Sequence, residues 1–114
     1  MLNGFEEETG PMTTEEISLV PLFVKGFEKR IGAANAVTAT QIGFKLRGLG
    51  YHVHGARVRK IVNHIRMKGI VKNLVATSVG YYIENDPEKI REYVNSLRAR
   101  ASAIMAVADT YNIN

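Results

Sequence analysis

Cationic side chains without neighbouring carboxylates are the chemically distinctive feature of this sequence. From Gly32 to Ile83 there is no Asp or Glu, and this segment also contains all three histidines. Its cations are Lys45, Arg47, Arg57, Arg59, Lys60, Arg66, Lys68 and Lys72. Such a segment attracts polyanions, of which nucleic acid is the commonest. The plainer alternative is a basic surface kept for solubility, although solvated surfaces usually mix both signs of charge.

The same residues give little indication of a catalytic site. No metalloprotease, phosphate-loop or serine-hydrolase motif occurs, and the basic segment lacks a carboxylate that would orient a histidine. His52, His54 and His64 form an incomplete zinc set, because no fourth ligand is evident. We therefore expect no enzyme, no metal, no cofactor and no small-molecule substrate.

Composition limits the class of protein. The 114 residues, 46% of them hydrophobic, fit a single domain with a modest core. The net charge of +4 combines the basic middle with acidic residues before and after it. There is no cysteine, no apolar run of about 20 residues and no basic leader at the N-terminus. We expect a soluble cytoplasmic protein without membrane contact.

The elements that must position these cations follow from local patterns. Residues 1–12 are acidic and contain Gly and Pro, which predicts disorder. A helix start at Thr13 is interrupted by Pro21, so the first helix is predicted from Pro21 to Gly32. A second helix begins at Thr38, where Gln41 completes a capping box. Ile42, Leu46 and Leu49, helped by Phe44 or Ala39, mark its buried side.

A third helix is predicted over residues 55–68 and is the most basic element. Val58, Ile61, Val62 and Ile65 form its apolar stripe. The side opposite this stripe contains Ala56, Arg59, Lys60, Asn63 and Met67.

After Gly69 the pattern changes to β-branched and aromatic residues. Residues 74–77 and 81–83 are predicted to form a hairpin with a tight turn over residues 77–80. One of Tyr81 and Tyr82 is expected in the core, the alternative being a stacking surface for single-stranded bases. A last helix begins at the Asp86–Pro87 cap and runs nearly to Tyr111.

The order helix, helix, helix, hairpin, helix resembles the winged-helix family of DNA-binding domains. Residues 38–42, 55–66 and 74–83 carry this resemblance, which covers about residues 21–97. Residues 55–80 are similar to small winged-helix proteins encoded by phages and prophages. The expected fold is α+β and mostly helical, a winged helix-turn-helix with a three-helix core, a short hairpin wing and a long C-terminal helix. The predicted divisions are a disordered acidic segment (1–12), a winged-helix domain (13–97) and an extension of the last helix (98–114).

The resemblance implies that the third helix lies in the major groove of double-stranded DNA and that the hairpin approaches the backbone. It further implies a phage or prophage regulator of transcription, or a replication accessory protein. An Arg side chain can donate two hydrogen bonds to guanine, and an Asn side chain can pair with adenine. Arg57 and Lys68 are expected to contact phosphates instead. The candidate DNA-binding residues are Arg57, Arg59, Lys60, Asn63, His64, Arg66, Met67, Lys68, Ser78, Lys45 and Lys72.

The last helix carries a second candidate surface. Its apolar and small residues recur at heptad spacing from Ile90 to Tyr111, which favours helix pairing. We expect a homodimer through the end of this helix, the alternative being that the helix bends back or frays. The proposed contacts are Leu97, Ala101, Ile104, Ala108 and Tyr111. A competing function for the whole chain is a protein-interaction module on the same scaffold without DNA readout.

Overall fold

In the part of the chain that the structure describes, four α-helices and one two-stranded hairpin form a mostly helical α+β structure. The computed structural model describes Glu8 and residues 10–111. Within these residues the order is α1 (Thr14–Phe27), a 3₁₀ turn (Ala33–Asn35), α2 (Ala39–Gly48), α3 (Ala56–Met67), β1 (Leu74–Thr77), β2 (Gly80–Ile83) and α4 (Pro87–Ala108). The chain divides into two compact units, 1–84 and 85–114. Among the described residues, no helix has both the length and the apolar composition needed to cross a bilayer.

The first helix begins earlier than predicted. Thr13 Oγ1 accepts the Glu16 amide at 3.1 Å, and Glu16 Oε1 accepts the Thr13 amide at 2.8 Å, so a full capping box starts α1 at Thr14. Pro21 lies inside the helix with its ring exposed, and the predicted start there is wrong. The predicted end at Gly32 is wrong as well, because α1 ends at Phe27.

The earlier start selects a different buried face on α1. Leu19, Phe23 and Phe27 are buried one turn apart, whereas Leu22 and Ile31 are exposed. The prediction of disorder over residues 1–12 falls mostly on residues 1–7 and 9, which lie outside the described part. Glu8 has helical conformation.

The second and third helices largely follow the prediction. Thr38 and Gln41 form the expected capping box of α2, at 3.1 and 2.9 Å. Leu46 is buried, and Ile42 and Ala39 are half-buried against the core, as predicted. Leu49 and Phe44 are exposed, so their predicted place on the buried side is wrong. All four apolar residues of the α3 stripe are inaccessible to solvent, as predicted.

The hairpin was predicted correctly. No sequence pattern predicted which segment the hairpin pairs with. β1 pairs with β2 in antiparallel register from Leu74–Ile83 to Thr77–Gly80, around a two-residue turn. The outer edge of β2 then pairs with the segment between α1 and α2. The Val37 and Tyr81 amides each donate to the other's carbonyl, at 2.9 and 2.8 Å, and Ile83 bridges to Ile31. These bonds fix the hairpin to the helical core.

The last helix begins where the sequence predicts. Asp86 Oδ1 accepts the Glu88 amide at 2.9 Å, and Pro87 occupies the first turn. The helix has 22 residues, or about 33 Å, and none of them is buried. Residues 112–114, which the predicted extension includes, lie outside the described part.

Candidate nucleic-acid interface

The outward side of α3 is the centre of the candidate interface. Arg59, Met67 and Lys68 are exposed there, and Asn63 and Arg66 are half-buried. Arg66 Nη1 donates to Asn63 Oδ1 at 3.4 Å, so the two polar groups of this side lie together. Met67 has 86% of its surface exposed, which is unusual for an apolar side chain on a well-packed helix. Within about three helical turns, this side presents hydrogen-bond donors, a side-chain amide and an apolar side chain.

The hairpin lies beside this helix. Burial raises the pKa of the Tyr81 hydroxyl, and the positive charges of Arg59 and Arg66 are close enough to oppose that rise. Tyr81 also packs edge-on against Phe27, with ring centroids 6.4 Å apart. Tyr81 and Tyr82 are both half-buried, and Tyr81 is the one of the two that packs against the buried core, in line with the prediction that one ring does so.

Lys60 is not part of the outward side, and this prediction is wrong. Its side chain is 9% exposed, and Nζ lies 2.8 Å from Oε1 of Glu16, which is itself 1% exposed. Ala56, predicted on the same side, is buried too. Helical periodicity placed both residues away from the apolar stripe, but the start of α1 covers that flank of α3.

Arg57 is engaged by the same part of α1. Its Nε donates to Glu16 at 2.9 Å, and its Nη2 donates to Glu15 at 2.6 Å. These two hydrogen bonds, with Glu16 first, raise the pKa of Arg57 despite its partial burial. The Nε–Nη2 edge of the guanidinium is therefore committed to carboxylates, and Nη1 lies 3.5 Å from the His52 carbonyl oxygen.

Arg59 has a carboxylate partner as well. Its Nε donates to Glu8 Oε1 at 2.5 Å, and the arginine side chain remains 45% exposed. Glu8, Glu15 and Glu16, which precede the basic segment in sequence, thus contact it in the folded chain. Sequence spacing gave no sign of this, because the paired residues are 41 to 51 positions apart.

Glu16 organises this flank of the helix. Burial raises the pKa of its carboxyl, but hydrogen bonds from Lys60, the Thr13 amide and Arg57 outweigh burial and bring the pKa to about 2. The carboxyl group is therefore ionised throughout the neutral range. Sequence reasoning assigned Glu16 only to a possible helix cap.

The remaining predicted residues lie on α3 itself or on other elements. His64 is half-buried on α3, Lys72 is exposed ahead of β1, and Ser78 is exposed at the hairpin turn. Lys45 is exposed on α2. His52 and His54 are exposed, and no group of three possible metal ligands occurs among the described residues.

The proposed pairing residues of α4 are all exposed. Ile104 and Tyr111 have about two thirds of their surface accessible, and Leu97 has 37%. Ala101 and Ala108 lie on the same heptad positions and are exposed too.

No protein-family model, curated protein or solved structure matches this chain. The geometry of the chain's own residues is therefore what supports a function.

Proposed function

We propose that this chain is a winged-helix protein that binds double-stranded DNA, with α3 in the major groove and the hairpin at the backbone. The observation that carries the proposal is the outward side of α3, where Arg59, Asn63 and Arg66 lie together beside an exposed Met67. Arg donates two hydrogen bonds to guanine, Asn pairs with adenine, and an apolar side chain contacts the thymine methyl. A helix with this set of side chains reads base edges.

Phosphate contacts fall to a smaller set than the sequence suggested. Lys68 ends α3 and Lys72 precedes β1, and both are exposed. Arg57 and Lys60 are held by Glu15 and Glu16, so we assign them to the stability of the domain. With Arg59, Arg66, Lys68 and Lys72 at phosphates or bases, the slope of log affinity against log salt is about −3 to −4.

The test is selection from a random duplex library, followed by titration of the enriched site and of an unrelated duplex. Arg59→Ala and Asn63→Ala reduce the preference for the enriched site, at about 1–3 kcal/mol for a base contact. Lys68→Ala weakens both duplexes alike, because phosphates carry no sequence information. A matched control is Lys25→Ala, which removes one charge from the last turn of α1.

Two results contradict this proposal. One is the absence of salt-sensitive duplex binding at micromolar protein. The other is an equal loss of affinity for Lys25→Ala and Arg59→Ala, which would mean that net charge alone matters.

The hairpin tip favours a second candidate function. Ser78 and Val79 are exposed there without a cation, whereas a hairpin that contacts the DNA backbone gains from positive charge. The alternative is a protein-interaction module whose basic side meets an acidic protein. Binding to a purified acidic partner that persists after nuclease treatment, in the absence of any duplex binding, would support it.

We also propose that two copies pair through α4. The exposed residues Leu97, Ile104 and Tyr111 follow the heptad spacing of helices that associate. A dimer would present two α3 helices to two half-sites, so the enriched DNA motif is expected to be a palindrome.

A further inference from the structure

An open apolar pocket of about 150 Å³ lies between α1 and α2. Phe23, Phe27 and Leu46 form its floor and are buried members of the core. Leu22 and Leu49 line it as well and are themselves exposed. Neither α3 nor the hairpin lines this pocket, so it is separate from the proposed reading surface.

Two cations complete the pocket lining. Arg30 and Lys45 are its only charged residues, and neither forms an ion pair within the described part of the chain. The Arg30 guanidinium makes a long hydrogen bond, 3.4 Å from Nη1 to the Asn35 carbonyl oxygen. An apolar ligand with an anionic end would place its body on the floor and its charge between these two side chains. Charge-assisted hydrogen bonds to carboxylates are among the strongest that proteins form.

The size of the pocket restricts the ligand. A cavity of about 150 Å³ lined by Leu, Ile and Phe holds one benzene ring. Phe23 and Phe27 lie edge-to-face with centroids 6.4 Å apart, an arrangement that accepts a third ring. Fused rings or long acyl chains would extend beyond the floor into solvent.

We propose that this pocket is a binding site for a small aromatic carboxylate with a single ring. The ring contacts Phe23, Phe27 and Leu46, and the carboxylate accepts hydrogen bonds from Arg30 and Lys45. The floor residues belong to the core that also contains the stripe of α3, so an occupied pocket stabilises the unit formed by residues 1–84. The inference does not depend on DNA binding.

The test uses the full chain and benzoate as the probe, with benzyl alcohol as its neutral counterpart. Methyl resonances of Leu22, Leu46 and Leu49 are followed by NMR during each titration. We expect saturable benzoate binding with a Kd of about 1 mM or below, which suits a ligand of this size. Benzyl alcohol binds at least about tenfold more weakly, because it lacks the charge.

Three variants show where the ligand binds. Gly26 lines the pocket, and a Cβ atom added there meets nothing within 4 Å, so we expect the larger side chain of Gly26→Leu to occupy the pocket and abolish benzoate binding. Gly48 is equally open but lies outside the pocket, so Gly48→Leu keeps benzoate binding. Arg30→Gln weakens benzoate about fivefold or more and leaves benzyl alcohol unchanged.

Three results overturn the proposal. The first is equal affinity for benzoate and benzyl alcohol, and the second is unchanged benzoate binding in Gly26→Leu. The third is the absence of saturable benzoate binding, which is the result expected if the pocket receives a side chain of another protein. Each is read without DNA, so failure here leaves the DNA-binding proposal intact.

Discussion

The Glu16 carboxylate on α1 contacts three groups at once. One oxygen accepts the Thr13 amide and the Lys60 ammonium, and the other accepts Arg57. The same carboxylate therefore caps α1, neutralises a buried lysine and orients an arginine. A local pattern reveals only the first of these roles, because the other two partners lie more than 40 positions away.

Removal of this charge is expected to be costly. Glu16→Gln leaves the buried Lys60 without a counter-charge and lowers the free energy of unfolding by about 3 kcal/mol. Glu15→Gln loses only an exposed contact to Arg57, so its cost is below about 1 kcal/mol. Urea denaturation of the two variants measures the difference, and equal stabilities would contradict the role assigned to Glu16.

The pKa of Glu16 also predicts the acid sensitivity of the fold. The carboxyl titrates at about 2 in the folded chain and at its ordinary value of 4.5 when unfolded. Between these values the unfolded chain binds more protons, so this stabilisation is complete above pH 4.5 and is lost as the pH falls to 2. The loss amounts to about 3 kcal/mol. Glu16→Gln should lack this component in unfolding curves recorded across the same range.

A further prediction concerns the effect of Glu8 on DNA affinity. Its carboxylate occupies Arg59 Nε, a donor that the proposed interface offers to DNA. Glu8→Gln should therefore raise duplex affinity roughly two- to fivefold at low salt, the range of an exposed ion pair. Glu88→Gln removes the same charge from a pair with Arg91 on α4 and should have a smaller effect. Fluorescence anisotropy with labelled duplex compares them, and equal gains would refute direct competition.

At the scale of elements, the hairpin depends on one close backbone approach. Gly80 has φ of +123°, and a Cβ there would lie 2.7 Å from the Val37 carbonyl oxygen. The approach brings β2 next to the segment between α1 and α2, where Val37 and Tyr81 exchange hydrogen bonds. A side chain at position 80 would push these two backbones apart.

Gly80→Ala should therefore destabilise the protein by about 2 kcal/mol or more, from backbone strain together with a steric clash. Gly48→Ala is the matched control, because its Cβ meets nothing within 4 Å and the substitution favours helix. We expect the control to be neutral or stabilised by up to about 1 kcal/mol. Thermal unfolding measured by circular dichroism separates them, and similar midpoints would argue against the close approach.

Local sequence patterns were sufficient to predict some of the helices but not α1. The capping residues Thr38 and Asp86 and the apolar stripe of α3 placed three helices correctly, because caps and periodicity act within a few residues. Pro21 misled the prediction of α1. The Thr13–Glu16 capping box and the burial of Leu19, Phe23 and Phe27 outweigh the hydrogen bond that proline removes from the helix interior.

For the whole molecule, the proposed pairing through α4 sets the number of chains that bind DNA together. α4 carries an exposed heptad stripe whose largest members are Ile104 and Tyr111. Ile104→Glu should shift the protein from dimer to monomer in sedimentation equilibrium, because a charge at a heptad core position opposes pairing. Ser102→Glu adds the same charge off the stripe and should remain a dimer. A monomeric wild-type chain at 100 μM would contradict the pairing.

Local spacing and composition were enough to predict the mostly helical α+β class, the hairpin and the carboxylate-free basic segment. The tertiary structure was needed to show which of the cations lie on the outward side of α3. It brought Glu8, Glu15 and Glu16 onto α3, buried Lys60, and left Arg59, Asn63 and Arg66 on the outward side. The reason is physical: ion pairs and burial depend on distance in space, and these partners meet only when α1 packs across α3.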